Sequence, residues 1–262
     1  MTHARALTNN YMQPYMAINR EERNLAAVLY ATLLVNDNLT KLLDLVDYNL
    51  PVEPSQTVAY FEYAFLRDLW DQGGLDNAGK RNLGTELLGT ADVHSLSTAT
   101  TSEWNEHFGC GGKTLSIRHV QSPGSWALTR YDANIQNDAD FLATTRFKWC
   151  WNTKPDLVVH TTLEHALVIE AKLESGEGRY PSSAADRAIF ARRGLASVSQ
   201  TELQQHMFDK LLGIQILPLF VVKKPGAVSL SHKQVRWHEI FEKLDLTGLP
   251  SFVGQWFARY AT

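Results

Sequence analysis

The sequence predicts a mixed α/β fold of the α+β kind, with a mixed sheet and flanking helices, and three observations carry that expectation. Apolar residues recur at helical steps from Arg20 to about Trp70. Two β-branched runs, DLVVHTT and HALVIEAKL, then follow one another across a polar turn around Leu163 to His165. A third apolar run, Ile214 to Val222, comes after a second helical stretch and contains Pro218, which makes it strand-sized.

The chain is long enough to bury a sizeable core. Its 262 residues are 44% hydrophobic and 20% charged, a composition that buries roughly three quarters of the unfolded surface and excludes a disordered tail protein. With 25 Lys+Arg against 28 Asp+Glu and a net charge of -3, no global positive field draws it to phosphate polymers or membranes, so any nucleic-acid contact must come from a local patch. Its two cysteines, Cys110 and Cys150, are too few for a disulfide scaffold or a four-Cys zinc site and fit a reducing compartment. No stretch reaches the ~18 apolar residues of a bilayer span, and the start MTHARALTNN lacks a secretory pattern. The expectation is a cytoplasmic protein without a membrane partner.

Element by element, Leu25, Val28, Leu29 and Leu33 describe an amphipathic helix over Arg20 to Val35, with Asn19 as N-cap. Leu39 to Val46 and Thr57 to Trp70 continue the helical rhythm, and turn clusters such as QGGLDNAGK, GCGG and SPGS punctuate Asp71 to Gly124. Phe147, Trp149 and Trp151 alternate with Arg146, Lys148 and Cys150, which predicts a half-buried strand near Thr144 to Trp151. The hairpin follows, then helices over Pro181 to Arg193 and Ser197 to Leu212, the second closed by a left-handed Gly213. Gln234 to Leu244 reads as a last amphipathic helix, after which Phe252, Trp256 and Phe257 pack back onto the body.

The chemistry concentrates in the hairpin. Pro155-Asp156 opens its first arm and Glu170-Ala171-Lys172 closes its second. Side chains alternate along a strand, so Glu170 and Lys172 share a face while Ala171 points away. A hairpin folds its ends together, which brings two carboxylates and an ammonium to one place. Hard oxygen donors of this kind suit Mg²⁺ or Mn²⁺, with the Ala171 carbonyl as a further donor and waters completing an octahedron. Lys172 would then hold or deprotonate an attacking water and stabilise charge on a phosphoryl oxygen. By composition, such a spacing on adjacent β-branched strands arises by chance in about one chain in a few hundred. The competing reading is an edge hairpin with a solvated ion pair, against which stands the apolar run LVI leading into the triplet.

Asp156 with its preceding Pro155, together with Glu170-Ala171-Lys172, resembles the signature of the PD-(D/E)XK nuclease superfamily, the restriction-endonuclease-like fold. The resemblance implies an αβββαβ core, divalent-metal hydrolysis of phosphodiesters and commonly double-stranded DNA as substrate. It divides the chain into a first segment with the first core helix (1–35), a mainly helical insertion (36–140) and the nuclease core with C-terminal helices (141–262). The insertion is then free to dock a protein partner, and a homodimer is expected by analogy with the two-fold symmetry of duplex DNA. Many members add an acid from the first helix as a metal ligand. Glu21 and Glu22 both fall about 50° from the centre of the apolar stripe, so either reaches the sheet edge; the plainer use of such acids is to favour the helix dipole. Glu62, on the later helix, is a weaker substitute.

Some branches carry Gln-x-x-x-Tyr on the helix after the triplet. Here Gln200 and Gln204 share a helical face, which would let one of them lean over the site or touch the nucleic acid, the plainer alternative being a solvated Gln-rich face; Phe208 stands where that pattern has Tyr, a departure from the branch. Arg179, Arg187, Arg192 and Arg193, with Lys223 and Lys224, supply a candidate phosphate-binding patch, or else an ordinary charged helix surface. GCGGKT fails as a Walker loop because His107 occupies its first glycine position. His160 and His165 lack the spacing of a metalloprotease helix, and the Trp-rich run RFKWCWN is more simply core than a base-stacking platform. The expected activity is a metal-dependent deoxyribonuclease of restriction or anti-phage defence type. Its rivals are a catalytically silent module that binds nucleic acid or protein, and a defence effector that needs an activating ligand or partner.

Overall fold

The computed structural model describes residues 21–72, 74–110, 118–224 and 232–260. The chain divides into two compact units, the first taking the chain up to Tyr63, Pro155–Gly176 and the chain from Ile216, the second taking Ala64–Lys154 and Glu177–Gln215. The division falls inside the expected 36–140 insertion, since residues 36–63 build part of the first unit. Asn19 and positions 111–114 of the GCGGKT run lie outside the described residues, as does the Trp256 side chain.

The first unit opens with α1 (Glu22–Leu33), whose buried Leu25, Ala26, Leu29 and Leu33 are the predicted stripe. Asn36 and Asp37 take left-handed backbone angles, φ 55 and 56, and turn the chain into α2 (Asn38–Leu45). Asn38 is fully buried, and its amide is satisfied on both sides. It donates to the carbonyls of Thr32 (3.0 Å) and Asp245 (2.9 Å) and accepts from the Asp245 N–H (2.7 Å), which is the condition for placing an amide in a core.

A five-stranded mixed sheet follows, formed by β1 (Val58–Phe61), β2 (Leu157–His160), β3 (His165–Lys172), β4 (Gln215–Val222) and β5 (Lys233–Arg236) in that spatial order. The β1–β2 and β2–β3 pairs are antiparallel, with Val58 opposite His160 and Leu157 opposite Ile169, and β4 and β5 run parallel. One face of the sheet carries Ala59, Leu157, Val159, Leu167, Ile169, Ala171, Leu219 and Val221 into a single core with the α1 leucines, Trp237, Ile240 and Phe257. Phe252, expected to pack back with Phe257, is 44% exposed.

Three element expectations are corrected. The first strand is not Thr144 to Trp151, because Asp138–Cys150 is a helix, N-capped by Asn137, whose side chain accepts from the N–H groups of Ala139 (2.8 Å) and Asp140 (3.1 Å). Phe141, Thr144, Thr145, Phe147, Trp149 and Cys150 are all buried; at about 100° per residue they surround the axis, and a helix buried all round shows no helical stripe. The true first strand, Val58–Phe61, lies inside the stretch expected as helix over Thr57 to Trp70, of which only Phe65–Gln72 is helical. Its VAYF sequence is β-branched and aromatic but too short to show a period. Gln234 to Leu244 likewise opens as β5 before the helix Trp237–Lys243 begins.

The second unit is mainly helical around an aromatic core. Phe108 stacks on Trp126 at 3.7 Å, Trp126 meets Phe147 at 5.7 Å, and Trp151 stands edge-on to Trp70 at 5.1 Å, which is the core role expected of RFKWCWN. The expected helices over Pro181 to Arg193 and Ser197 to Leu212 appear as Ala184–Arg192 and as Gln200–Gln205 continued by a π-helical turn His206–Leu211, with Gly213 at φ 66. Both cysteines are free, and among the described residues no helix is long and apolar enough to cross a membrane.

Two substitutions test this description. Asn137→Ala should cost about 1 kcal/mol in urea unfolding, the worth of a lost N-cap, whereas a strand over Thr144 to Trp151 would not register the change. Leu29→Ala, at a fully buried core position, should cost about 2–5 kcal/mol by the same measurement.

Candidate functional site

The hairpin register assembles the site. Leu157 pairs with Ile169 in the antiparallel ladder, so the next position outward sets Asp156 against Glu170. The pairing is closed by Asp156 itself: its Oδ2 accepts the Ala171 N–H at 2.8 Å. Edge strand β1 fixes the other side of Asp156, with the Glu62 N–H donating to the Asp156 carbonyl at 2.8 Å and the Tyr63 N–H to the Pro155 carbonyl at 3.1 Å.

Along β3, Ala171 faces the α1 core while Glu170 and Lys172 face the opposite side of the sheet. Both are buried, at 3% and 8% exposure, and Lys172 Nζ lies 3.2 Å from Glu170 Oε2. Trp237 Nε1 donates to the Lys172 carbonyl at 3.2 Å and anchors the end of the strand. The pair is therefore not the solvated ion pair of an ordinary edge hairpin.

An open cleft of about 400 Å³ is lined by Glu21, Glu22, Arg23, Asp156, Leu173, Glu174 and Ser175. Glu22 is engaged there by donors that follow the triplet. Its Oε1 accepts the N–H groups of Leu173 (2.8 Å), Glu174 (3.3 Å) and Ser175 (3.2 Å), and the Ser175 hydroxyl lies 2.9 Å from both carboxylate oxygens. Burial works against the Glu22 charge, but these hydrogen bonds outweigh it and hold the carboxyl below its ordinary value. Glu21 is exposed on the cleft rim. Glu62 is not on a helix: it ends β1 in a left-handed conformation, φ 51, and pairs with Arg23.

Asp156 has the opposite balance. Burial pushes its carboxyl up, the Ala171 N–H and the Lys172 ammonium pull it down, and the nearby Glu22 and Glu62 push it up again, leaving it above its ordinary value. The donor chemistry at this position, carboxylate oxygens of Asp156 and Glu170 with the Ala171 carbonyl, fits a hard divalent cation. Among the described residues no three His, Cys, Asp or Glu side chains form a group able to hold a metal. Two carboxylates and a carbonyl are a donor set of the chemical kind that hydrated Mg²⁺ uses together with substrate phosphates.

Of the expected nucleic-acid residues, Arg179, Arg187, Arg192, Arg193, Gln200 and Gln204 belong to the second unit, and Lys223 and Lys224 to the first. Arg193 is committed to a clamp, pairing with Asp132 (2.7 Å) and Asp138 (2.6 Å) and donating to the carbonyls of Asp132 and Ile135. Arg192 also pairs with Asp132, Arg179 donates to Ser197 Oγ and Arg187 to the Ser182 carbonyl. Gln204 is 1% exposed, so it is not on a solvated glutamine-rich face, and the Gln200 N–H donates to the Gly178 carbonyl. His160 packs edge-on to Tyr60 and bonds Tyr63, and His165 bonds Thr162. Ser175, Arg23 and Glu174 were not foreseen, although Arg23 adjoins Glu22 and the other two follow the Glu170-Ala171-Lys172 triplet closely.

No family model matches the chain, and no curated protein or solved structure matches it either.

The Asp156 environment gives a pH prediction. Its proton is held more tightly in the folded than in the unfolded chain, so stability falls as pH rises from about 3.9, the unfolded value, through the raised folded value. In chelator-treated buffer, Asp156→Asn, whose amide oxygen can still accept the Ala171 N–H, should be at least as stable as the wild type near neutral pH and lose that advantage below about pH 4. Urea midpoints at the two pH values check this, and a variant less stable at neutral pH contradicts it.

Proposed function

We propose that the protein is a divalent-metal-dependent nuclease that hydrolyses DNA phosphodiester bonds, with its centre at Asp156, Glu170 and Lys172. The observation that carries the reading is the Asp156 carboxylate seated on the Ala171 N–H, which makes Pro-Asp and Glu-Ala-Lys one constellation. With β1 taken as the first strand, an αβββαβ subset, α1, β1, β2, β3, the helix Gln200–Gln205 and β4, can be picked out in chain order once the intervening helices and the short strands Arg179–Tyr180 and Val198–Ser199 are counted as insertions, and this supports the restriction-endonuclease-like reading.

Asp156, Glu170 and the Ala171 carbonyl would hold the cation, with the exposed Glu21 on the rim of the cleft that Asp156 lines. When bound, Mg²⁺ or Mn²⁺ supplies Lewis-acid polarisation of the phosphoryl group and lowers the pKa of water. The Ala171 N–H orients one Asp156 oxygen and leaves the other available. Lys172, held by Glu170, supplies N–H donors to the attacking water and to the charge that grows on a phosphoryl oxygen. Double-stranded DNA is the substrate most in keeping with the resemblance. Contacts by Gln200, Arg179 and Arg187, and a homodimer, belong to this proposal, whereas Arg193 is already engaged within its own unit.

One observation favours a second reading. Glu170 and Lys172 are almost wholly buried, as befits an effector that stays inert until a ligand or partner opens the site. Incubation of the full chain with plasmid, linear duplex, single-stranded DNA and RNA, with and without Mn²⁺, separates the readings. Cleavage by the wild type should fall by at least about 100-fold in Asp156→Asn and Glu170→Gln, the scale of lost charge stabilisation, while circular dichroism shows both folded. Full Mn²⁺-dependent activity in either variant sinks the nuclease assignment. Mn²⁺ should also raise the wild-type Tm, by binding only the folded state, and leave that of Asp156→Asn unchanged.

A further inference from the structure

The bend that leaves β3 has a feature that neither the fold nor the metal reading requires. Three successive backbone N–H groups, from Leu173, Glu174 and Ser175, converge on one oxygen, and the Ser175 hydroxyl joins them. Consecutive amides aimed at one point form a concave nest for an anion. Its occupant is the Glu22 carboxylate, which reaches across from the first turn of α1. The Glu21 side chain makes no cap hydrogen bond at the N-terminus of α1, the place where a first-turn acid is ordinarily useful. The helix does not depend on this reach for its position, since Leu25, Ala26 and Leu29 are fully buried against the sheet. Ser175 and Glu174 are exposed, and both line the cleft that also holds Asp156 and the half-exposed Arg23.

We infer that the Leu173–Ser175 bend is a phosphate subsite of the cleft, and that Glu22 is a built-in place-holder which an incoming phosphate displaces. The identity of that phosphate as a DNA phosphodiester rests on the nuclease reading; the anion subsite itself does not. A carboxylate and a phosphate offer the same acceptor oxygens to N–H and O–H donors, and charge-assisted bonds of this type are short and strong. The site is self-screened by charge. With Glu21, Glu22, Glu174 and Asp156 around the cleft, an anion arriving alone meets both a competitor and repulsion, whereas one arriving with a divalent cation meets neither in full. Cation and phosphate thus favour each other's binding, reciprocally. In this arrangement Glu22 sets substrate affinity and is not a metal ligand.

Orthophosphate is the probe. The full chain is titrated in EDTA at constant ionic strength, with Tm as readout. Glu22→Ala should show a saturable rise in Tm with an apparent Kd at least about tenfold below that of the wild type. Adding Ser175→Ala should remove at least about threefold of that gain. Glu22→Leu, which keeps most of the side-chain volume but carries no acceptor oxygen, serves if the alanine variant does not fold. Folded Glu22 variants that bind phosphate no better than the wild type, or a gain indifferent to Ser175→Ala, overturn the inference. With Mn²⁺ and a short duplex, the folded acceptor-free variant, Glu22→Ala or Glu22→Leu, should lower KM and leave kcat within about threefold; a loss of about 100-fold in kcat at unchanged KM would make Glu22 part of the reaction centre and overturn it too. A wild type that cleaves nothing, beside variants that gain phosphate binding, removes the nuclease reading and keeps the subsite; cleavage without that gain does the reverse.

Discussion

The register of the β2–β3 ladder is the constraint on which the rest of the first unit depends. With Leu157 opposite Ile169, the inward set Leu157, Val159, Leu167, Ile169 and Ala171 meets the α1 leucines, and Glu170 and Lys172 are left on the other face. A slip of one residue would drive both charges into the leucine core and expose the aliphatic set. The hairpin resists that slip at both ends. The Thr161 N–H donates to the His165 carbonyl at the turn, and Asp156 receives the Ala171 N–H at the open end. The carboxylate that would bind a cation is thus also a fastener of the register.

Charge balance is the second constraint, because four acids crowd the open end of the hairpin. Each is compensated differently. Glu170 has the Lys172 ammonium, Glu62 has the Arg23 guanidinium, and Glu22 has three backbone N–H groups with a serine hydroxyl. Asp156 has one backbone N–H and stands near Glu22 and Glu62, so its ionised form is opposed by both burial and like charge. Converging ionisable groups that raise one member's pKa are a common mark of functional sites. Under the proposed reading the same accounting would join metal and phosphate, each relieving the repulsion that the other would meet.

What could be read from the chain was whatever is encoded locally and at a clear period. The hairpin, its turn, the α1 stripe and the Gly213 stop all emerged near the expected positions, as did the shared face of Glu170 and Lys172. The failures come from burial without a readable period and from partners far away in the chain. Phe147, Trp149 and Trp151 alternate over five residues, yet their helix is enclosed on all sides, so alternation carried no information about a strand. Val58–Phe61 spans four residues, next to a genuine helix at Phe65–Gln72, and its rhythm merged with that of its neighbour. Arg193 looked like a solvent-facing cation because its partners, Asp132 and Asp138, lie 61 and 55 residues away.

By itself, the sequence determined which residues could do chemistry and on which face of a strand they would lie, because strand alternation and hairpin reversal are consequences of backbone geometry. It determined too that a helix with a leucine stripe would cover the other face. Only the tertiary structure decided how the charges are shared: that Glu22 serves the bend after β3, that Glu62 turns at the end of an edge strand to meet Arg23, and that Arg193 is spent on a clamp. Those outcomes depend on distances between segments far apart in the chain, and electrostatic pairing follows distance in space, not position in sequence.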